Sequence, residues 1–191
     1  MKKIDLDLIL KDKVVCLKPL PSLKVDPDYL ANLANDPIIA KWMGNKFPSP
    51  YTKKDAEDFL KKAKKSWESE EEYIFIIFVG NKYIGNIGIS VDFKKNIVWN
   101  LGYWLGKKYE GKGYATRAVA LLSKFCFSEL VLNEIRAGVY EGNSASMNVL
   151  IKNDFEIDSL SKEDYPLVDG EIVIRHAFVK LKQKPKILTK R

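Results

Sequence analysis

The stretch Glu110-Gly111-Lys112-Gly113-Tyr114-Ala115-Thr116 is the part of this chain best suited to chemistry. Gly111 and Gly113 let the backbone pass close to a ligand and turn several N–H groups the same way. A helical pattern begins at Tyr114, so the positive end of a helix lies behind the turn. Lys107, Lys108, Lys112 and Arg117 add cations around it. This arrangement can hold an anion, most simply a pyrophosphate. The same residues also make a tight glycine turn with its lysines in solvent. The spacing fits neither the Gly-x-Gly-x-x-Gly turn of a dinucleotide fold nor a Gly-x-x-x-x-Gly-Lys-Ser/Thr phosphate loop. Three antiparallel strand patterns precede it, which argues against a doubly wound sheet.

Other chemistries are poorly supplied. His176 is the single histidine, and Cys16 and Cys126 are the two cysteines, far apart in sequence. A structural zinc site or a Cys–His nucleophile is therefore not expected, and no metal is assigned. Cys126 falls on the apolar face of a helix and reads as core. The formal net charge is +7, which suits anionic partners or simply a Lys-rich solvated surface. Residues 180–191 carry six basic residues and no acid. They read as a solvated end, with RNA or ribosome contact the other possibility. The N-terminal sequence MKKIDLDLILKDK does not resemble a signal peptide, and no apolar run approaches the ~20 residues of a membrane span. A cytoplasmic protein without membrane contact, monomer or homodimer, is the expectation.

The elements that must position the loop follow from periodicity. With 191 residues, one domain spanning 1–191 is expected, with a core at about 14–182 and a basic tail at about 183–191. Residues 14–20 read as a strand ended by proline, and 28–35 as a short helix. Thr52 starts a longer helix with a capping-box-like Asp55, followed by Ala56, Phe59, Leu60, Ala63 and Trp67 at helical spacing. The run YIFIIFV at 73–79 is apolar throughout and predicts a strand buried on both faces. Gly80-Asn81 predicts a hairpin into 82–91, where Gly85 and Gly88 suggest a bulge or a close backbone approach. Strand 97–105 follows, then the glycine loop and a helix over 114–128. Strand 134–140 should run parallel to 97–105 through that crossover. Asn143 or Ser144 caps a helix to about 153, and strands at 155–160 and 172–181 end the pattern. The fold class is α+β: a mixed, mainly antiparallel central sheet of 6–7 strands with about four helices and a strand–helix–strand unit in the middle.

Here the residues resemble a known family. LGYWLGKKYEGKGYATRAV is similar to the cofactor motif of the GNAT superfamily of N-acetyltransferases, in the branch of RimJ/RimL-like ribosomal-protein N-terminal acetyltransferases. The family pattern is Gln/Arg-x-x-Gly-x-Gly/Ala, and Glu110 to Ala115 follow it with Glu110 in first place. A second stretch, Asn143-Ser144-Ala145-Ser146 with Val149, Leu150, Lys152 and Phe155, resembles that branch's Asn-x-x-Ser…Leu-x-Lys-x-Gly-Phe signature. The Asn-Asp-Pro-Ile run at Asn35 and the residues from Pro50 to Ala56 fit the same branch, so the resemblance covers about 14–182.

The resemblance implies a GNAT fold and acetyl-coenzyme A as cofactor. The pyrophosphate would lie on the backbone of Gly111, Lys112, Gly113, Tyr114, Ala115 and Thr116. The pantetheine arm would pair with the backbone of Tyr103, Trp104 and Leu105. Asn143 would bond the arm, and Ser146 would stabilise the leaving thiolate. Without the resemblance, Asn143 is equally a helix cap and Ser146 a surface serine. Glu110 departs from the pattern by setting a carboxylate beside the anion site, unless its side chain turns away. Asp154 replaces a glycine before Phe155, where Asp tolerates a left-handed backbone better than most. Asn100 stands where many relatives carry a glutamate base. Glu163 and Asp164 fall where others place a carboxylate, and they also read as solvated loop acids.

The implied reaction is direct attack of an amine on a thioester, with no acyl-enzyme. An α-amine with pKa about 7.7–8.0 is roughly 10–20% neutral at pH 7, and a lysine at about 10.4 is neutral at only ~0.04%. A site without an obvious base therefore favours a protein or peptide N-terminal α-amine as acceptor, and the branch resembled points to that of a ribosomal protein. A small amine or polyamine, a non-catalytic coenzyme A-binding protein and a basic RNA- or ribosome-associated module are the alternatives. Acceptor contacts are expected from Phe47 and Tyr51, from the first two helices and from the loop at 161–170, with Trp42 a candidate wall or core aromatic.

Overall fold

The computed structural model describes residues 4–44, 47–167, 170 and 172–182, with 159–163 described by their backbone. The basic tail at 183–191 lies outside the described residues. Eight strands form one sheet in the order β1-β2-β3-β4-β5-β6-β8-β7. In chain order they are β1 Leu10–Lys11, β2 Val15–Pro19, β3 Glu72–Val79, β4 Lys82–Asp92, β5 Ile97–Leu105, β6 Glu134–Tyr140, β7 Glu156–Pro166 and β8 Ile172–Leu181. The helices are α1 Pro27–Ala34, α2 Pro37–Met43, α3 Lys53–Glu68, α4 Tyr114–Ser128 and α5 Ser144–Ile151, with short 3₁₀ turns at Leu20–Ser22 and Lys107–Tyr109. The mixed α+β sheet is thus as expected. The added elements are the two-residue β1 and the helix α2.

The apolar run in β3 is explained by its place between two cores. Tyr73, Phe75 and Ile77 enter one apolar cluster, and Ile74 and Ile76 enter the other. Side chains alternate across a strand, so only a strand covered on both faces needs such a run. The first core is closed by Ala118, Val119, Leu122, Phe125 and Cys126 of α4. Trp67 of α3 meets Tyr73 edge-on at 4.9 Å and Phe75 at 5.3 Å. The second core takes Leu30, Ala31 and Ala34 of α1 with Ala56 and Ala63 of α3. Thr52 and Asp55 make the reciprocal capping box that starts α3.

Two irregularities shape the sheet. The β3–β4 register slips between Ile77 and Phe78, beside Gly85, whose backbone lies against the Trp104 carbonyl. The β4–β5 register slips again: Ser90 faces Asn100 and Val91 faces Val98, which leaves Trp99 as an extra residue in β5. An extra residue bends its strand and interrupts the ladder. Parallel pairing of β5 with β6 is confined to Ile97↔Glu134 and Val98↔Ile135. Beyond Trp99 the two strands part, and a cleft opens in the middle of the sheet.

The C-terminal part differs in detail from the sequence reading. β7 continues to Pro166, so much of the segment read as a loop at 161–170 is strand. β8 inserts between β6 and β7. Lys180, read as the start of a solvated tail, sits in β8 and donates to the Asn153 carbonyl at 2.6 Å. Asp154 takes φ +59°, the left-handed turn expected where relatives place glycine.

Candidate active site

The cleft between the parted strands has a volume of about 770 Å³. One wall is β5 from Trp99 to Leu105, the other is β6 from Ala137 to Tyr140, and α2, α5 and the glycine loop close the ends. A strand that leaves its neighbour exposes backbone N–H and C=O groups along that edge, and each calls for a partner. An extended ligand chain with amide groups fits this edge as an added strand would.

At one end lies the glycine loop. Gly111 and Gly113 have φ +71° and +77°, a left-handed backbone that a β-carbon makes costly. Gly113 is the N-cap of α4 and supplies no side-chain cap, so the first N–H groups of a 15-residue helix point out of its end with the helix dipole behind them. Glu110 does not oppose an anion alone: its carboxylate pairs with Lys107 Nζ at 3.1 Å. Lys107, Glu110, Gly111 and Ala115 line the cleft. Lys112 is exposed and donates to the Lys108 carbonyl at 2.8 Å. Tyr114 packs against the first core, and Thr116 accepts from Asn153 Nδ2 through its carbonyl at 3.2 Å. Arg117, counted among the loop's cations, is held by Asp12 at 2.8 Å.

At mid-cleft, Asn143 and Ser146 come from the start of α5 and Tyr103, Trp104 and Leu105 from β5. Asn143 Oδ1 accepts from the Ser146 N–H at 3.1 Å and so caps α5. That cap fixes Ser146 at the third helical position, facing β5. Ser146 Oγ lies 2.9 Å from the Tyr103 hydroxyl, a contact between residues 43 positions apart. The sequence reading used Tyr103 for its backbone; the phenol is the group it missed. Burial pushes the Tyr103 phenol up to about 12, partly opposed by the Ser146 bond, so the proton stays on this pair across neutral pH. Burial also lifts the Cys126 thiol to about 12, which fits core rather than nucleophile.

The far end is built differently from the expectation. Ile38, Ile39, Trp42 and Met43 of α2 line it, with Trp99, Asn100, Tyr140, Tyr165 and Arg175. Phe47 and Tyr51 are not among the lining residues. Their rings pack together at 4.9 Å against the second core, because Tyr51 precedes α3 on the side facing α1. Asp164 is exposed and does not line the cleft. The Glu163 side chain lies outside the described residues. Glu110 is therefore the one carboxylate among the described lining residues, and it is already paired. No group of residues able to hold a metal occurs among the described residues, and no helix among them is long and apolar enough to cross a membrane.

Comparison with known proteins agrees with this architecture. The family model described as an acetyltransferase (GNAT) domain matches residues 15–156. The chain is 27% identical over 159 residues to the protein named "Probable N-acetyltransferase YjcK" of Bacillus subtilis, covering 82% of this chain and 88% of that one. The crystal structure of the ribosomal-protein-S5-alanine acetyltransferase of Vibrio fischeri superposes with a TM-score of 0.77 at 21% identity, covering 94% and 100% of the two chains. RimL, a ribosomal L7/L12 α-N-protein acetyltransferase in complex with coenzyme A, gives a TM-score of 0.79 at 15% identity, covering 91% and 98%. At such identities the superpositions speak to the fold. The family match spans most of the chain and includes the glycine loop, the Trp99 bulge and Ser146: this protein is a member of the GNAT family of acetyltransferases.

Proposed function

We propose that the cleft binds acetyl-coenzyme A and that the protein transfers its acetyl group to the α-amine of a protein or peptide N-terminus. The site fits the cofactor at three places. The uncapped start of α4 and the left-handed glycines suit a pyrophosphate. The parted edge of β5 suits an amide-bearing arm. The Ser146–Tyr103 hydroxyl pair at mid-cleft suits a proton donor. Gly111, Gly113 and Ala115 would hold the phosphates with Lys112, Tyr114 and Thr116 beside them, and Tyr103, Trp104, Leu105 and Asn143 would hold the arm.

When bound, the cofactor supplies a thioester open to attack by a neutral amine. The chain's own residues do the rest. Ser146 Oγ, bonded to a phenol that keeps its proton to about pH 12, can give a proton to the departing sulfur as Tyr103 donates to Ser146, and the proton that the amine sheds in forming the amide restores the phenol through solvent. Trp42, Met43 and Trp99 give the acceptor end an apolar wall.

The observation that carries the choice of acceptor is the absence of an uncommitted carboxylate among the described lining residues. Such a site has little means to deprotonate a lysine, whereas an α-amine is already partly neutral at pH 7. Mass spectrometry of peptides with free or blocked N-termini, each containing one lysine, tests this. Acetylation of free N-termini alone is expected; acetylation confined to lysine contradicts it. The ribosomal-protein acetyltransferases among the similar structures make a ribosomal protein a suitable first acceptor to assay.

A further inference from the structure

Strand register aligns three polar side chains in one row across the sheet. Glu72 of β3 pairs with Ser90 of β4, and Ser90 pairs with Asn100 of β5. Residues directly opposite each other stand on the same face with β-carbons about 4.5–5.5 Å apart. Ile74 and Ile76 share that face with Glu72 and enter the second core, so the row lies on the side of the sheet that α1 and α3 cover. Asn100 lines the acceptor end of the cleft. The row therefore leads from the cleft to the start of β3, where the chain leaves α3.

None of the three is committed elsewhere. Ser90 is 6% exposed, and Glu72 and Asn100 are half-buried. Among the described residues their side chains make no hydrogen bond or ion pair. Polar groups so placed call for partners. Burial raises the Glu72 carboxyl above its ordinary range, with the charge of Lys62 on α3 opposing, and β4 faces it with the neutral Ser90. Next to Asn100 on the same face is Gly102, which also lines the cleft. A β-carbon on Gly102 would meet nothing within 4 Å, so there is room for water beside the row. One water between opposite side chains closes each gap with hydrogen bonds nearly as good as direct ones.

We infer that Glu72, acting through Ser90, is the final proton acceptor for the acceptor amine, with Asn100 orienting the first water of the relay at the cleft wall. This rests on the acetyl-transfer reading of the cleft. Once the acceptor nitrogen has bonded the acetyl carbon, it carries one proton too many. That proton passes to the water at Asn100 and on to Ser90 Oγ, while Ser90 gives its own proton through water to the Glu72 carboxylate. An amide takes no proton, whereas a hydroxyl both accepts and donates, so Asn100 orients and Ser90 relays. Glu72 then releases the proton to solvent. The electron pair of the broken carbon–sulfur bond leaves on sulfur, which is protonated from Ser146. One proton leaves by Glu72 and one returns to Tyr103, so the count closes. The relay acts on nitrogen already joined to carbon; the amine still has to arrive neutral, and the advantage of an α-amine over a lysine stands.

The test is thiol release from acetyl-coenzyme A with a peptide bearing a free N-terminus. Glu72→Gln should lower kcat roughly tenfold, short of the ~100-fold of a base in direct contact, with acceptor KM and coenzyme A affinity unchanged. Ser90→Ala should do the same, Ser90→Thr should keep most of the rate, and the double variant Glu72→Gln with Ser90→Ala should be no worse than either single one. The ratio of wild-type to Glu72→Gln rates should fall towards one as pH drops and Glu72 takes up its proton, because the titration of the amine is common to both. Its midpoint should lie above the ordinary 4.5 and match that of the Glu72 carboxyl carbon followed by NMR in the coenzyme A complex. Full activity of Glu72→Gln, additive losses in the double variant, or a ratio that stays constant through that midpoint overturns the relay and leaves acetyl transfer standing. Binding of coenzyme A with no thiol release from any acceptor overturns the acetyl-transfer reading, and the relay falls with it.

Discussion

The two ends of the cleft are made by different means. The cofactor end is local: a strand end, two glycines and the start of one helix, all within residues 103–116. The acceptor end is assembled from α2, β5, β6, β7 and β8, with lining residues that run from Ile38 to Arg175. The local end offers mainly backbone, through N–H groups freed by left-handed glycines and by a helix start without a side-chain cap. The assembled end works with side chains: Trp42, Trp99, Tyr140, Tyr165 and Arg175. A backbone site tolerates changes of side chain and holds a common ligand. A side-chain site can vary its specificity without disturbing the other end. Ser146 and Tyr103 stand between them.

If the ends are separable, substitutions should sort by end. The largest effect is expected in the middle. Ser146→Ala should lower kcat roughly 100-fold, the contribution of a positioned proton donor, with coenzyme A affinity unchanged by calorimetry. Tyr103→Phe should do the same, and the double variant should be no worse than either single one, because the two hydroxyls act as a pair. Next is Gly113→Val. A β-branched residue at φ +77° carries strain of about 1–3 kcal/mol, so cofactor affinity should fall by roughly 10- to 100-fold with acceptor preference kept. Trp42→Ala should show the reverse pattern: KM for the acceptor up about tenfold, as for loss of an aromatic anchor, and cofactor affinity intact. The smallest change is Glu110→Gln, which removes a half-exposed carboxylate already paired with Lys107. Cofactor binding should tighten by about two- to threefold, in keeping with the modest worth of exposed charge pairs.

The pH profile sharpens the comparison further. The rate should climb with pH as the acceptor α-amine loses its proton near about pH 8. No fall is expected below about pH 11, because burial lifts the phenols of Tyr103 and Tyr140 to about 12. The same shift has a sign for stability. A phenol whose pKa is raised on folding favours the neutral folded form, so its contribution is whole below the ordinary value of 10.0 and is lost as pH rises towards 12. A downturn in rate between pH 8 and 10 would mean that some other group supplies the proton.

The same local-versus-assembled difference explains what the sequence revealed. The glycine loop, the cap of α3 and the doubly buried β3 are written in neighbouring residues, and each could be read from spacing. The GNAT-like pattern likewise lies in short stretches around Gly113 and Ser146. By contrast α2 is seven residues long and begins at a proline, too brief to show a helical period. The bulge at Trp99 depends on the partner strand β4, which a strand pattern does not display. The Tyr103–Ser146 contact joins two elements through the crossover, and nothing in the sequence near Tyr103 marks its phenol. Arg175 gains its place from Gly138 on another strand. Phe47 and Tyr51 were read as acceptor contacts, and nothing in their sequence shows that they pack instead against the second core.

The central claim is that the gap between β5 and β6 is a coenzyme A site organised by the backbone of the glycine loop. Calorimetric titration of the protein and of Gly113→Val with coenzyme A tests it directly. The account predicts binding in the micromolar range for the protein and at least tenfold weaker binding for the variant, with both folded. No binding by the protein, or equal binding by the two, would contradict it.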